Sequence, residues 1–413
     1  MAYYQINLKP TGPFFFATEL KAELGNRQNY YQKSRLFPQQ TTLLGVLRYQ
    51  LLLKNGYMPI DSGNKNDVAK LIGKQSFHYN NGKNIGDFGV IKQLSPIFLN
   101  NNNGFWSIRD KEFIQKPCTK CGKKITSSLQ LKEFEIEESY SYNLLQKTAK
   151  RLDKHYLIKD EDKDSYNPKY PFSNFLYDFS KNIWLEKDSQ KVDLNKITLG
   201  YEQVGIHKRS GNAQGERGYY KMDYKVLHNR EEIKRNEAIK RPNDNQKFFK
   251  VQLKDKWYFT YFVEMEDGSL DNLEEERYVV MGKEQSVFKM SIIKSENNVP
   301  FIFEKKDTKL TDKHNNKLIF VSDTFIESES HLYDNCTFAN IELQRLRFMQ
   351  TQVSENKKHY YGRPSKSKGF NLIKRGSVVY GTKSQINNLM VCLDNMQEFK
   401  QIGYNYYITQ SSI

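Results

Sequence analysis

Apolar residues in this chain come in short runs. AYYQINL (2–8), DFGVIKQLSPIFL (87–99), KWYFTYFVEM (256–265), KLIFVSDTFI (317–326), RGSVVYG (375–381) and QIGYNYYIT (401–409) are rich in Val, Ile, Tyr and Phe, and polar stretches separate them. Runs of that length and composition predict strands. Their wide spacing, with few helical patterns between them, predicts an α+β class built from small antiparallel sheets. The segment 276–293 predicts two strands, or a helix passing into a strand. One segment has a different period. In PQQTTLLGVLRYQLLLK (38–54), Leu43, Leu44, Leu47 and Leu51 fall on one face at about 100° per residue. Pro38 suits the first turn of that helix and Asn55-Gly56 its end. Further helices are predicted around 338–353 and 383–399.

Composition removes several classes. Of 413 residues, 38% are hydrophobic and 14% aromatic, which is enough apolar mass for real cores. No apolar run approaches the roughly 18 residues of a membrane helix. The start, MAYYQINLKP, lacks a charged region followed by an apolar one, so no signal peptide is expected. Four cysteines do not make a disulfide scaffold. A soluble, cytoplasmic protein that does not bind membranes is the expectation.

Charge is more telling. Lys and Arg number 64 against 48 Asp and Glu, a net of +16, and the two signs are segregated. Residues 24–60 and 356–393 contain no acid, whereas EFEIEE (133–138), KDEDKD (159–164) and MEDGSLDNLEEE (265–276) collect acids. Segregation of this kind predicts basic faces that attract polyanions.

Three stretches carry candidate contacts. The run NYYQKSRLFP supplies Lys33, Ser34 and Arg35, and the helix behind it places Thr41, Gly45 and Arg48 within about 60° of one another. A hydroxyl, a guanidinium and a close backbone approach suit a phosphate. Packing of Gly45 beneath a strand and a salt bridge for Arg48 are the alternative. Residues 203–226 read as two strands around the glycine-rich loop 209–218, with His207, Lys208, Arg209, Arg217 and Lys221 beside Tyr219 and Tyr220. Cations and stackable rings are what single-stranded RNA uses; a solvated surface hairpin is the alternative. KKHYYGRPSKSKGF (357–370) has the same character and contributes Lys366 and Lys368.

From about 100 to 200 the chain is polar, and it is expected to form a large insertion with some local structure. Within it, CTKCG (118–122) offers Cys118 and Cys121 as half of a zinc knuckle, without a second half in the sequence. The expectation on cofactors is none firm, with zinc the one candidate. No Walker loop, nucleophile elbow or dinucleotide fingerprint appears, and the seven histidines lie apart, so no catalytic set is expected.

The pattern KSRLFPQQTTLLGVLR (33–48) resembles the opening helix motif of the RAMP superfamily, the RNA-binding proteins of CRISPR systems. Its recurring Ser, aromatic-Pro pair, Thr, Gly and Arg fall here on Ser34, Phe37-Pro38, Thr41 or Thr42, Gly45 and Arg48. Residues 204–226 look like the family's strand–loop–strand segment, and VVMGKEQSVFKM resembles its Gly-x-Glu element. With YYQINLKPTGPFFF at the start, the whole is most similar to the third-subunit family of type III-B (Cmr) effector complexes. The glycine-rich loop common near RAMP C-termini is thin here, reduced to Gly369, Gly376, Gly381 and Gly403.

The resemblance implies two ferredoxin-like (RRM-like) units, 1–295 with the insertion and 296–413. It also implies a non-catalytic role in holding the 5′ tag of the guide RNA. The implied partners are the large polymerase/cyclase-like subunit, a backbone RAMP subunit and, indirectly, target RNA. Two other readings stand beside it. One is a RAMP endoribonuclease using His207 with Tyr219 or Lys221. The other is a free-standing binder of single-stranded RNA.

Overall fold

The computed structural model describes residues 1–17, 31–60, 63–79, 86–101, 104–108, 113–117, 124–133, 155–159, 175–178, 191–208, 217–227, 231–239, 248–253, 257–271, 273, 276–282, 285–295, 300, 302–303, 310–311, 316–350 and 365–411.

The first strand, Ala2–Pro10, lies between Tyr258–Met265 and Ser286–Ser295 and is antiparallel to both. Tyr258–Met265 pairs on its other side with Ile91–Leu94 and Phe98–Asn100. Glu276–Met281 follows Ser286–Ser295 at the end of the sheet. Strand alternation sets which residues point inward. Tyr4, Ile6 and Leu8 are buried with Phe259, Tyr261, Val263, Phe288 and Met290. The leucine helix, Gln40–Lys54, buries Leu43, Leu44, Leu47 and Leu51 in the same core. Each leucine contributes roughly 1.5–3 kcal/mol by leaving water.

The C-terminal part runs strand Asn316–Phe320, helix Glu329–Asp334, strands Phe338–Asn340 and Val378–Gly381, helix Lys383–Asp394, and strand Tyr407–Ser411. Numbered by sequence, these four antiparallel strands lie in the spatial order 2-3-1-4. The N-terminal sheet repeats that order. Ala2–Pro10 is its first strand, Ile91–Leu94 with Phe98–Asn100 its second, Tyr258–Met265 its third and Ser286–Ser295 its fourth. The leucine helix connects the first to the second. Among the described residues, a turn and the Glu276–Met281 strand stand where a second helix would connect the third to the fourth. Helix Lys383–Asp394 starts with a capping box between Thr382 and Gln385, worth about 1 kcal/mol.

One core runs through both parts. Phe77 and Tyr79 pack against Phe325, Phe348, Phe370 and Phe399 of the C-terminal part, and Phe325 stacks on Phe399 at 4.5 Å. Such ring pairs add roughly 0.5–1.5 kcal/mol each beyond burial.

Three expectations change. The helix expected over 338–353 is instead the strands Phe338–Asn340, Leu343–Leu346 and Met349–Gln350. Leu346 and Phe348 are buried while Arg345, Arg347 and Met349 are exposed, a two-residue period that only a strand provides. The insertion expected over 100–200 is not wholly separate. Phe105–Ile108, Phe175–Asp178 and Lys191–Asp193 extend the main sheet beyond Phe98–Asn100. Trp106 is buried against Trp257 at 5.8 Å and donates to Asn101 Oδ1 at 3.0 Å, which ties this segment to the core. The leucine helix begins at Gln40, so Pro38 precedes it rather than occupying its first turn.

Candidate nucleic-acid interface

A three-stranded sheet brings two of the basic stretches together. Thr198–Lys208 and Arg217–Leu227 form the expected hairpin. Tyr31–Lys33 joins it, parallel to Arg217–Leu227, with Tyr31 opposite Lys221 and Lys33 opposite Asp223. Backbone bonds fasten this sheet to the core. Ser34 N donates to Asp223 O at 2.8 Å, Arg35 N donates to Phe16 O at 3.0 Å, and Phe14 and Lys225 exchange bonds of 2.8 and 2.9 Å. Phe14 and Phe16 are buried among Phe259 and Phe288, so the sheet is anchored to rigid structure.

The pairing builds a small platform that gathers two lysines around one tyrosine ring, with Glu202 and Asp223 close by. The ammonium groups of Lys33 and Lys221 lie 5.4 and 5.3 Å from the centre of the Tyr31 ring. Glu202 accepts from Lys221 at 2.6 Å and from the Tyr31 hydroxyl at 3.5 Å. The Lys221–Glu202 hydrogen bond is the main cause raising the lysine pKa and lowering that of the carboxyl, so both are charged at neutral pH. Desolvation, followed by the charges of Asp223 and Glu202, raises the Tyr31 pKa, so the ring stays a neutral phenol. A neutral, half-exposed ring with two flanking cations can stack a base and hold the adjoining phosphates. Tyr31 is absent from the residues singled out in the sequence. Its signal was its place two residues before Lys33 in an acid-free run, which puts both on one face of a strand.

Behind the platform the chemistry turns inward. Ser34 is buried; its hydroxyl accepts from Phe16 N at 2.9 Å and donates to Arg35 O at 2.9 Å. Arg35 reaches into the C-terminal part, where Nη1 donates to Gln344 Oε1 at 3.1 Å and lies 3.9 Å from Asp323 Oδ2. Arg375 reaches the same carboxylate from the other side. Its Nε is 3.7 Å from Asp323 Oδ1, its Nη1 donates to Ile97 O at 2.8 Å, and its guanidinium lies 4.1 Å from the Phe37 ring centre. Burial pulls the Arg375 pKa down and Arg35 adds to that, while Asp323 opposes it. Two arginines thus share one acid at the seam between the two parts.

The helix face expected to join Thr41, Gly45 and Arg48 comes apart. Thr41 is half-buried and Gly45 is exposed with open space beside it. Arg48 is only 8% exposed, and its Nη2 donates to Gly73 O at 3.4 Å. The reason is the short helix Lys65–Ile72 and Gly73, which cover this side of the leucine helix.

The remaining residues divide by position. Lys366 and Lys368 are exposed, and Lys368 Nζ lies 5.4 Å from the Tyr79 ring centre and 5.7 Å from that of Phe370. His207, Lys208, Arg217, Tyr219 and Tyr220 sit on the hairpin strands, with Lys208 in register with Arg217 and Ile206 with Tyr219. Arg209, Cys118 and Cys121 lie outside the described residues. Among the described residues no cluster of His, Cys, Asp and Glu could hold a metal, and no helix is long and apolar enough to cross a membrane.

A family model for CRISPR-associated proteins, Cas_Cmr3, matches residues 6–411. The chain belongs to the Cas_Cmr3 family. The resemblance carried by the Ser34–Arg48 pattern and the Gly-x-Glu element is borne out at this level, and the Cas_Cmr3 match takes in almost the entire chain. No curated protein matches it. Among solved structures, one of the type III-B Cmr-β complex bound to cognate target RNA is similar, at 13% identity and a TM-score of 0.43, over 98% of this chain and 96% of that one. A second, of Cmr-β bound to cognate target RNA and AMPPnP, has 13% identity and a TM-score of 0.41, over 97% and 94%.

Proposed function

We propose that this chain is a non-catalytic RNA-binding subunit of a type III-B CRISPR ribonucleoprotein. It holds the 5′ tag of the guide RNA and bridges the large polymerase/cyclase-like subunit to the backbone subunits. The observation that carries the reading is the Tyr31, Lys33 and Lys221 platform, where two basic stretches far apart in sequence meet on one sheet. Stepping back by two along the same strand from Lys221 reaches Tyr219 and Arg217, which continue the pattern of cation and ring. Both units are read as ferredoxin-like. Support comes from the β-α-β-β-α-β order of the C-terminal part and from the 2-3-1-4 strand order of both sheets.

A tag shared by all guides needs a grip that sets register, and phosphate contacts supply it without reading the spacer. Lys33→Ala with Lys221→Ala should therefore weaken binding to guides of unrelated spacer sequence alike. Each lost phosphate contact should flatten the log–log salt dependence by about 0.7. Tyr31→Ala should cost roughly 1–3 kcal/mol of affinity with the slope unchanged. The measurement is guide affinity against salt in the assembled complex. Wild-type binding by both variants, or loss for one spacer only, would count against the platform.

The non-catalytic part has its own test. The purified chain should leave repeat and target RNA uncut in EDTA over a long incubation. Specific cuts abolished by His207→Ala would move the reading to the endoribonuclease.

A further inference from the structure

Strand Leu343–Leu346 and the residues after it form a second basic face. Leu346 and Phe348 point into the core, while Arg345 and Arg347 are exposed, flanked by Leu343 at 52% and Met349 at 55% exposure. Lys366 pairs with Met349 across the neighbouring strand, and Lys368 follows it, both exposed. No acid occurs in 343–350 or 365–374. The Arg345 guanidinium lies against Gly369, where a Cβ would come within 2.4 Å of its Nε, so the glycine leaves room for the arginine on the surface.

The strand that carries this face meets the segment of the Tyr31 platform through its other, inward side. Gln344, the neighbour of Arg345, accepts the hydrogen bond from Arg35, which is two residues on from Lys33. Among the described residues, the junction sets one acid, Asp323, against two arginines. Arg35 Nε and Nη2 and Gln344 Nε2 are buried without a hydrogen-bond partner, and the nearby Asp323 is shared with Arg375. Arg345 and Arg347 stand two residues apart on extended chain, roughly 6.5–7 Å, comparable to the step between phosphates of an extended single strand.

We propose that Arg345 and Arg347, with Lys366 and Lys368, form a second phosphate-binding track that continues the platform across the seam, so that one single-stranded RNA is held by both parts of the chain. The proposal rests on the reading that the platform binds RNA. It adds the C-terminal arm and the path between the two.

The test uses the full chain, with fluorescence anisotropy of a short and a long oligouridylate in a salt series. For Arg345→Ala with Arg347→Ala, binding of the short RNA should be unchanged. Affinity for the long RNA should fall, with the log–log slope flatter by about 1.4, two phosphates at about 0.7 each. Lysine at both positions should restore the slope. Both arginines are exposed, and an unchanged melting curve confirms that the fold is kept. If the alanine variant binds the long RNA as wild type does, the arm belongs to some other partner, such as an acidic protein, and the proposal is overturned. Equal loss on short and long RNA overturns it too. The platform variant, Lys33→Ala with Lys221→Ala, separates the two ideas. If it binds both RNAs normally while the arginine variant loses the long one, the platform reading fails and the arm stands.

Discussion

Asp323→Ala should destabilise the protein by about 3–5 kcal/mol. Its carboxylate is the acid between Arg35 and Arg375, and it also accepts the backbone N–H of Arg375 at 3.1 Å. Arg375 has a side chain only 5% exposed, so removing the acid leaves two buried cations facing each other. A cation without its counter-charge in such a place costs far more than the pair contributes when intact. Asp323 keeps 12% of its side chain exposed, which lets water screen part of the loss and favours the lower end of the range. Asp323→Asn keeps an acceptor for the Arg375 N–H and should recover part of the difference. Urea midpoints of the two variants against wild type measure it. A midpoint for the alanine variant within error of wild type would sink the account of the seam as a shared ion pair.

Gly403→Ala should cost a similar amount for a different reason. Gly403 has φ +91°, a conformation that L side chains rarely adopt. A Cβ there would lie 2.5 Å from Ser95 O and 2.5 Å from Gln40 Nε2. Gln40, at the start of the leucine helix, donates to both Gly403 O at 2.9 Å and Ser95 O at 3.2 Å. The Ser95 carbonyl is backbone and cannot move aside cheaply. Backbone strain of roughly 1–3 kcal/mol and overpacking of roughly 1–3 kcal/mol both apply. The expected result is a fall in thermal midpoint comparable to that of Asp323→Ala. Gly45→Ala serves as the control, because a Cβ there meets open space and should leave the midpoint unchanged or slightly higher. A Gly403→Ala protein that melts with wild type would show that the contact between the helix start and the C-terminal segment is looser than described.

These two sites, one ionic and one steric, lie where the N-terminal sheet meets the C-terminal part. If RNA is held by both parts, their relative position matters to binding, and the seam holds it through Arg35, Gln40, Asp323 and Arg375. Ser34 belongs to this support as well. Its hydroxyl bridges Phe16 and Arg35, which makes it a positioning residue rather than one offered to solvent.

The strands at 2–8 and 256–265 were legible in the sequence because β-rich composition between polar loops is a local property, whereas the strand expected over 401–409 begins only at Tyr407, after the helix Gln397–Gln401. The leucine helix was legible because its spacing of 3 and 4 is local too. Charge segregation marked the basic stretches, and the order of the Ser34, Gly45 and Gly-x-Glu motifs marked the family. Residues 343–349 form strands where a helix was expected. Leu343, Leu346 and Met349 recur every three residues, as on a helix face, while the alternation of Leu346 and Phe348 with Arg345 and Arg347 has the two-residue period of a strand.

What the tertiary structure alone decided is which cations face water and which segments meet. Helical arithmetic placed Arg48 beside Thr41 and Gly45, but Lys65–Ile72 and Gly73 cover that side of the helix, and burial depends on what packs over a face, which periodicity cannot show. Arg35 and Lys33 look alike in the sequence. Alternation alone would put residues two apart on one side, but the strand ends at Lys33. Lys33 stays at the Tyr31 ring, while Arg35 bridges Phe16 and turns to Gln344 and Asp323 at the seam, which only the packed core decides. The meeting of Tyr31 with Lys221 depends on the main sheet, which fixes Phe14 and Phe16 and so holds the hairpin where the 31–33 strand can pair with it. Pairing between distant segments is set by that shared core, not by the residues that pair.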